Sequence, residues 1–240
     1  FIREDVRRGT VPVVFSLENL ARPGHTPYYD ALAGKMMAML SRRGYLAQLL
    51  VCRGTTPAEK LASLELDSGL WNNVSALVDA GSLVEIQHLL AERGVPLVGI
   101  ASSERPTHTY AVIHDHDRML RQAAEHLRQV GCASAGVITT GRRDRASLMS
   151  LLRDAGLDTR AQWVRYYGDC YGVDGAVPFR ELWALPQRPE GLLITDDVLA
   201  VGVAHAMEEL GLTAPDDLAV ITHANKHVPV TFPVDFTTSQ

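Results

Sequence analysis

The sequence predicts an α/β protein built from two doubly wound, mostly parallel-sheet lobes. Three observations lead there. Short β-branched apolar runs alternate with segments of helical period from Val11 to Thr222, as repeated βαβ units require. Gly44, Gly94, Gly131, Gly156 and Gly211 each follow a helical stretch, where glycine relieves the left-handed turn that ends a helix. A polar segment at Pro106–Tyr110 separates two runs of the same pattern, so the chain is expected to divide there, into lobes 11–110 and 111–225.

In the first lobe Val11–Leu17 is the opening strand, and a helix follows Pro27 and stops at Gly44. Tyr45–Cys52 is the second strand, and a helix starts near Thr56-Pro57. Val74–Asp79, helix Leu83–Arg93, Val95–Ala101 and Tyr110–His114 follow. The second lobe repeats the alternation: helix Asp117–Val130, strand Ala135–Thr139, helix Arg145–Ala155 and strand Gln162–Tyr167. Helix Val173–Trp183, strand Gly191–Thr195, helix Val198–Leu210 and strand Leu218–Thr222 complete it.

Composition narrows the function. A chain of 240 residues that is 46% hydrophobic can bury a large core. Its net charge of −5 is the wrong sign for a surface that grips a phosphate backbone, so any DNA-reading part is expected elsewhere. Three cysteines (Cys52, Cys132, Cys170) form no CxxC pair, and an odd, scattered count fits a reducing cytosol. No run of 18 apolar residues exists, and Phe1–Gly9 is charged where a secretory leader is apolar. A cytoplasmic protein without a membrane span is therefore expected.

Ligands of open parallel sheets bind beyond the carboxyl ends of the strands. The residues there are polar and small, suited to hydrogen-bonding a polar molecule. Ser16, Leu17 and Asn19 follow the first strand, and Ser102 the fourth. Asp115, Thr139, Asp196, His223 and Asn225 follow strands of the second lobe. Of the adjacent pair Asp196-Asp197, Asp197 is expected to cap the next helix and Asp196 to face the ligand. His114-x-His116 lacks a third ligand at suitable spacing, so no metal site is expected. There is no Gly-x-Ser-x-Gly elbow, GxGxxG or phosphate-binding P-loop, and neither catalysis nor a cofactor is expected. Trp163 and Trp183 are expected in the core; Trp71, in a polar stretch, is the least core-like tryptophan.

One segment is distinctive. Thr195-Asp-Asp-Val-Leu-Ala-Val-Gly202 leads into Glu209-Leu-Gly-Leu-Thr-Ala-Pro-Asp-Asp217 and a strand. It resembles the C-terminal lobe of the lactose-repressor (LacI) family, whose strand ends in an Asn/Asp-Asp pair before an Ala-x-Gly helix. Val112-Ile-His-Asp115 with Ala124–Gly131, and Val74–Ala80 with Gly94–Val98, are similar to further parts of it. The resemblance covers residues 11–238. It implies a periplasmic-binding-protein-like fold and a homodimer. A small effector, by family default a carbohydrate, would bind between the lobes and switch operator DNA binding by a domain outside this chain. It also implies that residues 226–240 return to the first lobe. The family grips its effector with an arginine at the start of the helix after the Thr139 strand. Ungapped alignment places Asp144 there, so flanking Arg145 or Arg143 is assigned the role, Arg145 first. Phe1-Ile-Arg-Glu-Asp5 is similar to the last wing strand of GntR-type winged helices, which would make residues 1–10 the end of a DNA-binding region or linker. A periplasmic sugar receptor of the same fold is the alternative.

Overall fold

The computed structural model describes residues 9–17, 28–65, 74–80, 92, 94–100, 110–140, 143–167, 175–225, 232–234 and 236–239. The expected helix Leu83–Arg93, Trp71, Asn19, Ser102 and Cys170 lie wholly or mainly outside them. Two compact units form, Phe1–His114 and Asp115–Gln240.

The first unit contains β1 (Thr10–Ser16), α1 (Tyr28–Arg42), β2 (Leu46–Cys52), α2 (Pro57–Ser63), β3 (Leu77–Asp79), β4 (Leu97–Ile100) and β5 (Tyr110–Val112). Its five strands run parallel in the order β2-β1-β3-β4-β5. β1 is an interior strand and is buried from Val11 to Phe15, the near-continuous apolar run of a strand covered on both faces. Successive side chains alternate between faces. Val14 joins Cys52, Leu77 and Leu97, while Val13 and Phe15 join Ala33 of α1.

α2 begins with a reciprocal cap. Thr56 Oγ1 accepts from the Glu59 amide, and the Glu59 carboxylate accepts from the Thr56 amide. Thr56→Ala should cost about 1 kcal/mol, read as a lower denaturation midpoint with unchanged slope.

The second unit contains α3 (His116–Gln129), β6 (Ala135–Thr140), α4 (Arg145–Asp154), β7 (Val164–Tyr167), α5 (Ala176–Trp183), β8 (Gly191–Ile194), α6 (Asp197–Glu209), β9 (Ala219–His223) and β10 (Thr237–Ser239). The strands are again parallel, in the order β10-β9-β8-β6-β7. Leu120, Ala123, Ala124 and Leu127 recur at helical spacing and bury α3 on one face of the sheet, with Leu148 and Leu152 of α4. The other face carries Phe179 and Leu182 of α5 and Leu199, Ala200 and Val203 of α6. Helices therefore cover both faces, as doubly wound sheets require.

All five glycines expected to end helices have positive φ, from +67° to +102°, the conformation that selected glycine at those positions. Trp163 is buried and its Nε1 donates to the Gln187 carbonyl at 2.9 Å. It belongs to a short 3₁₀ turn, Ala161–Trp163, so the strand expected from Gln162 starts at Val164.

Two expectations are corrected. β5 pairs with β4 in the first sheet, which moves the boundary from 110 to His114. Residues 226–240 were expected to return to the first lobe, yet β10 pairs with β9 in the second sheet, and Phe232, Val234 and Phe236 pack on that lobe's core. The open edge of β9 and the apolar surface beside it outweigh the family pattern. Among the described residues, no helix is long and apolar enough to cross a membrane.

Candidate functional site

In the second sheet β6 is flanked by β7 on one side and β8 on the other. Chain connections depart in opposite directions there, which opens a crevice at the carboxyl ends of β6 and β8. Thr139 and Thr140 end β6, and Thr195 follows β8. Thr195 Oγ1 donates to Thr139 Oγ1 at 2.9 Å, and Thr139 Oγ1 donates to the Thr140 carbonyl at 3.2 Å. Thr139 is only 2% exposed, so its hydroxyl sits behind Thr195 and supports the crevice wall. Thr195 is the more accessible of the two, and its position after a strand was the signal that could have put it among the site residues.

The next two residues exchange the roles expected of them. Asp196, in extended backbone, is the N-cap of α6, its Oδ1 accepting from the Val198 amide at 3.0 Å. Asp197 is the first helical residue and is 4% exposed. Sequence placed the cap one residue late because either aspartate satisfies the capping pattern, and only the backbone decides which is extended. Asn225, just past β9, donates Nδ2–H to Asp197 Oδ2 at 2.9 Å. Burial, and then the like charge of Asp196, push the Asp197 carboxyl up to about 6, against the opposing effect of the Asn225 amide. The result is a joined pair of strand ends, β8 and β9, carrying Asp196, Asp197 and Asn225. His223 ends β9 beside them and is half-buried.

The arginines are engaged otherwise. Arg143 Nη1 donates to Asp117 Oδ1 at 2.6 Å, and this bond holds the Asp117 carboxyl below its ordinary range. Asp144 caps α4 through the Ser147 amide, which makes Arg145 the first helical residue. The Arg145 guanidinium lies 5.5 Å from the centre of the Tyr166 ring, and the Tyr166 hydroxyl donates to the Arg143 carbonyl at 3.0 Å. Asp117 and Tyr166, which no sequence motif singles out, thus position both arginines. Asp115 caps α3, accepting from the Arg118 amide at 3.0 Å. In the first lobe Ser16 ends β1 half-buried, and Leu17 follows, exposed.

A cavity of about 710 Å³ opens at the opposite, amino-terminal edge of the second sheet, beside His126, Cys132, Glu190, Asp216 and Phe236. The edge rule for parallel sheets points away from it, and none of the sequence-derived candidates lines it.

Residues 124–239 match the model of the periplasmic-binding-protein-like domain family. Over 220 residues the chain is 22% identical to the HTH-type transcriptional repressor PurR of Actinobacillus pleuropneumoniae serotype 3 (strain JL03), across 88% of this chain and 64% of that protein. The fold superposes on a regulatory protein of the LacI family from Chloroflexus aggregans with a TM-score of 0.74, at 19% identity, covering 92% of this chain and 79% of that one. The chain is thus similar to lactose-repressor-family regulators over most of its length, and its C-terminal half matches the periplasmic-binding-protein-like domain. Its two parallel-sheet lobes have the periplasmic-binding-protein-like fold of those structures. A sugar-binding transcriptional regulator of the LacI family from Escherichia coli, complexed with phosphate, is also similar: TM-score 0.69, 17% identity, covering 91% of this chain and 79% of that one. The chain spans just under two thirds of the length of the PurR relative. The LacI-type pattern read from Thr195 to Asp217 thus falls inside the matched family domain.

Proposed function

We propose that this chain is the effector sensor of a non-enzymatic, cytoplasmic transcription regulator, and that a DNA-binding part outside it reads the operator. The observation that carries the site is the β6/β8 switch point. Thr195, Asp196 and Asn225 sit there on adjacent strand ends, backed by Thr139 and Asp197. Such a row of fixed hydrogen-bonding groups suits a small polyhydroxylated molecule. The sugar-binding LacI-family neighbour and the PurR repressors support sugar and regulator respectively. A homodimer in which effector binding changes the spacing of two DNA readers by about 1–3 kcal/mol of coupling would switch operator occupancy roughly 5- to 150-fold.

A thermal-shift screen of the 240-residue chain against sugars, sugar acids, sugar phosphates and nucleobases tests this. A ligand at about 100 times its Kd should add about 2.7 kcal/mol of stability. Asn225→Ala should abolish that response and leave the fold intact. Asp196→Asn, which keeps a helix cap, should weaken it. Wild-type affinity in both variants would remove the site from this edge.

A further inference from the structure

If the β6/β8 switch point is the effector site proposed above, its hydrogen-bonding groups also restrict the effector's charge. The Thr139 hydroxyl proton is committed to the Thr140 carbonyl, so the Thr195 proton must go to Thr139. Thr195 then offers a ligand only lone pairs. Asp196 receives the Val198 N–H, and Asp197 the Asn225 amide with weaker help from the backbone N–H groups of Val198 and Asp197. Among the described residues no lysine, arginine or histidine forms an ion pair with either carboxyl. Among the described residues of this edge, Arg143 pairs with Asp117 and Arg145 lies over the Tyr166 ring, so neither is bonded to the two aspartates. Asn225 adds an acceptor oxygen, its amide being turned to Asp197. The edge therefore has an excess of acceptors and an unneutralised acidic pair, one member of it 4% exposed.

We propose that the effector carries a protonated amine on a polyhydroxylated frame, with the ammonium held by the accessible Asp196 in front of the buried Asp197. An ammonium supplies the donors and the positive charge that no described residue brings to Asp196 or Asp197, and charge-assisted hydrogen bonds of this kind are about twice as strong as neutral ones. A phosphate or carboxylate would instead face two like charges. Binding should also draw the Asp197 proton off, because a cation beside it favours the ionised form.

The 240-residue chain would be titrated at pH 7 with glucosamine, glucose, N-acetylglucosamine and glucose 6-phosphate, and with ethanolammonium and ethylene glycol as a fragment pair. Backbone amide NMR shifts of Thr195, Val198 and Asn225 give the readout. Each amine should bind about ten-fold or more tightly than its neutral or acetylated counterpart, and Asp196→Asn should bring that ratio close to one. Calorimetry near pH 6 in two buffers should show protons released on amine binding, since burial raises the Asp197 carboxyl into that range. Equal or tighter binding of glucose or glucose 6-phosphate at the same amides overturns the amine and leaves the effector site standing. Silence of both amines at these amides, at tens of millimolar, also overturns it. Binding that Asn225→Ala leaves unchanged overturns the site itself.

Discussion

Gly175→Ala should prevent the second lobe from folding normally. Gly175 precedes α5 and is buried, and a Cβ placed on it would lie 2.0 Å from the Leu199 carbonyl oxygen and 2.9 Å from its carbonyl carbon. Those are backbone atoms of α6, so no rotamer change relieves the overlap. Its φ of −62° suits any residue, so the penalty is one of packing between helices. The cost should exceed the about 1–3 kcal/mol of ordinary overpacking, because α5 and α6 share the core around Phe179, Leu199 and Val203. Trp163 and Trp183 both belong to this lobe, which makes tryptophan fluorescence in a denaturant titration the direct measurement. Gly34→Ala is the control: nothing lies within 4 Å of its Cβ position on α1, and it should stabilise by up to about 1 kcal/mol. A Gly175→Ala protein as stable as wild type would mean that α5 and α6 are not packed this closely.

Asp197→Asn should make the protein more stable at neutral pH and less responsive to its effector. The Asp197 carboxyl is raised from 3.8 to about 6 in the folded state. A raised acid is protonated more readily when folded than when unfolded, so unfolding stability falls as pH rises from about 4 to about 6 and is level above. The full penalty at pH 7.5 is about 3 kcal/mol. Asparagine abolishes the titration and keeps an acceptor oxygen for Asn225. The variant should therefore gain about 1–3 kcal/mol over wild type at pH 7.5 and nothing at pH 4. Comparing the two proteins cancels Glu59, Asp117, Asp144 and Asp217, whose depressed values act in the opposite sense. A pH-independent difference would place the origin of the change outside the Asp197 titration. Stability gained as ligand response is lost is the exchange expected at a binding site that holds a charge against its surroundings.

Much of the lobe architecture was legible because it rests on local physics. Apolar runs of four to seven residues, helical periods and the C-terminal glycines each encode one element without reference to the rest. The strand-end rule then selected Thr139, Asp196, His223 and Asn225 from a list of positions. What it could not supply was pairing. Whether Arg143 is available depends on Asp117, 26 residues away, and no motif links them. The Asp197–Asn225 contact spans 28 residues and likewise exists only once β8 and β9 are neighbours.

By itself, then, the sequence determined the α/β class, the order of the elements and the polar strand ends, because propensity, periodicity and turn chemistry act over a few residues. Tertiary structure alone decided three further matters. It set the cap at Asp196 and buried Asp197, since one residue of helix register exchanges their environments. It attached Thr237–Ser239 to β9, since an open strand edge with an apolar flank recruits the segment that reaches it. It paired Arg143 with Asp117, since charges find their partners through space and not along the chain.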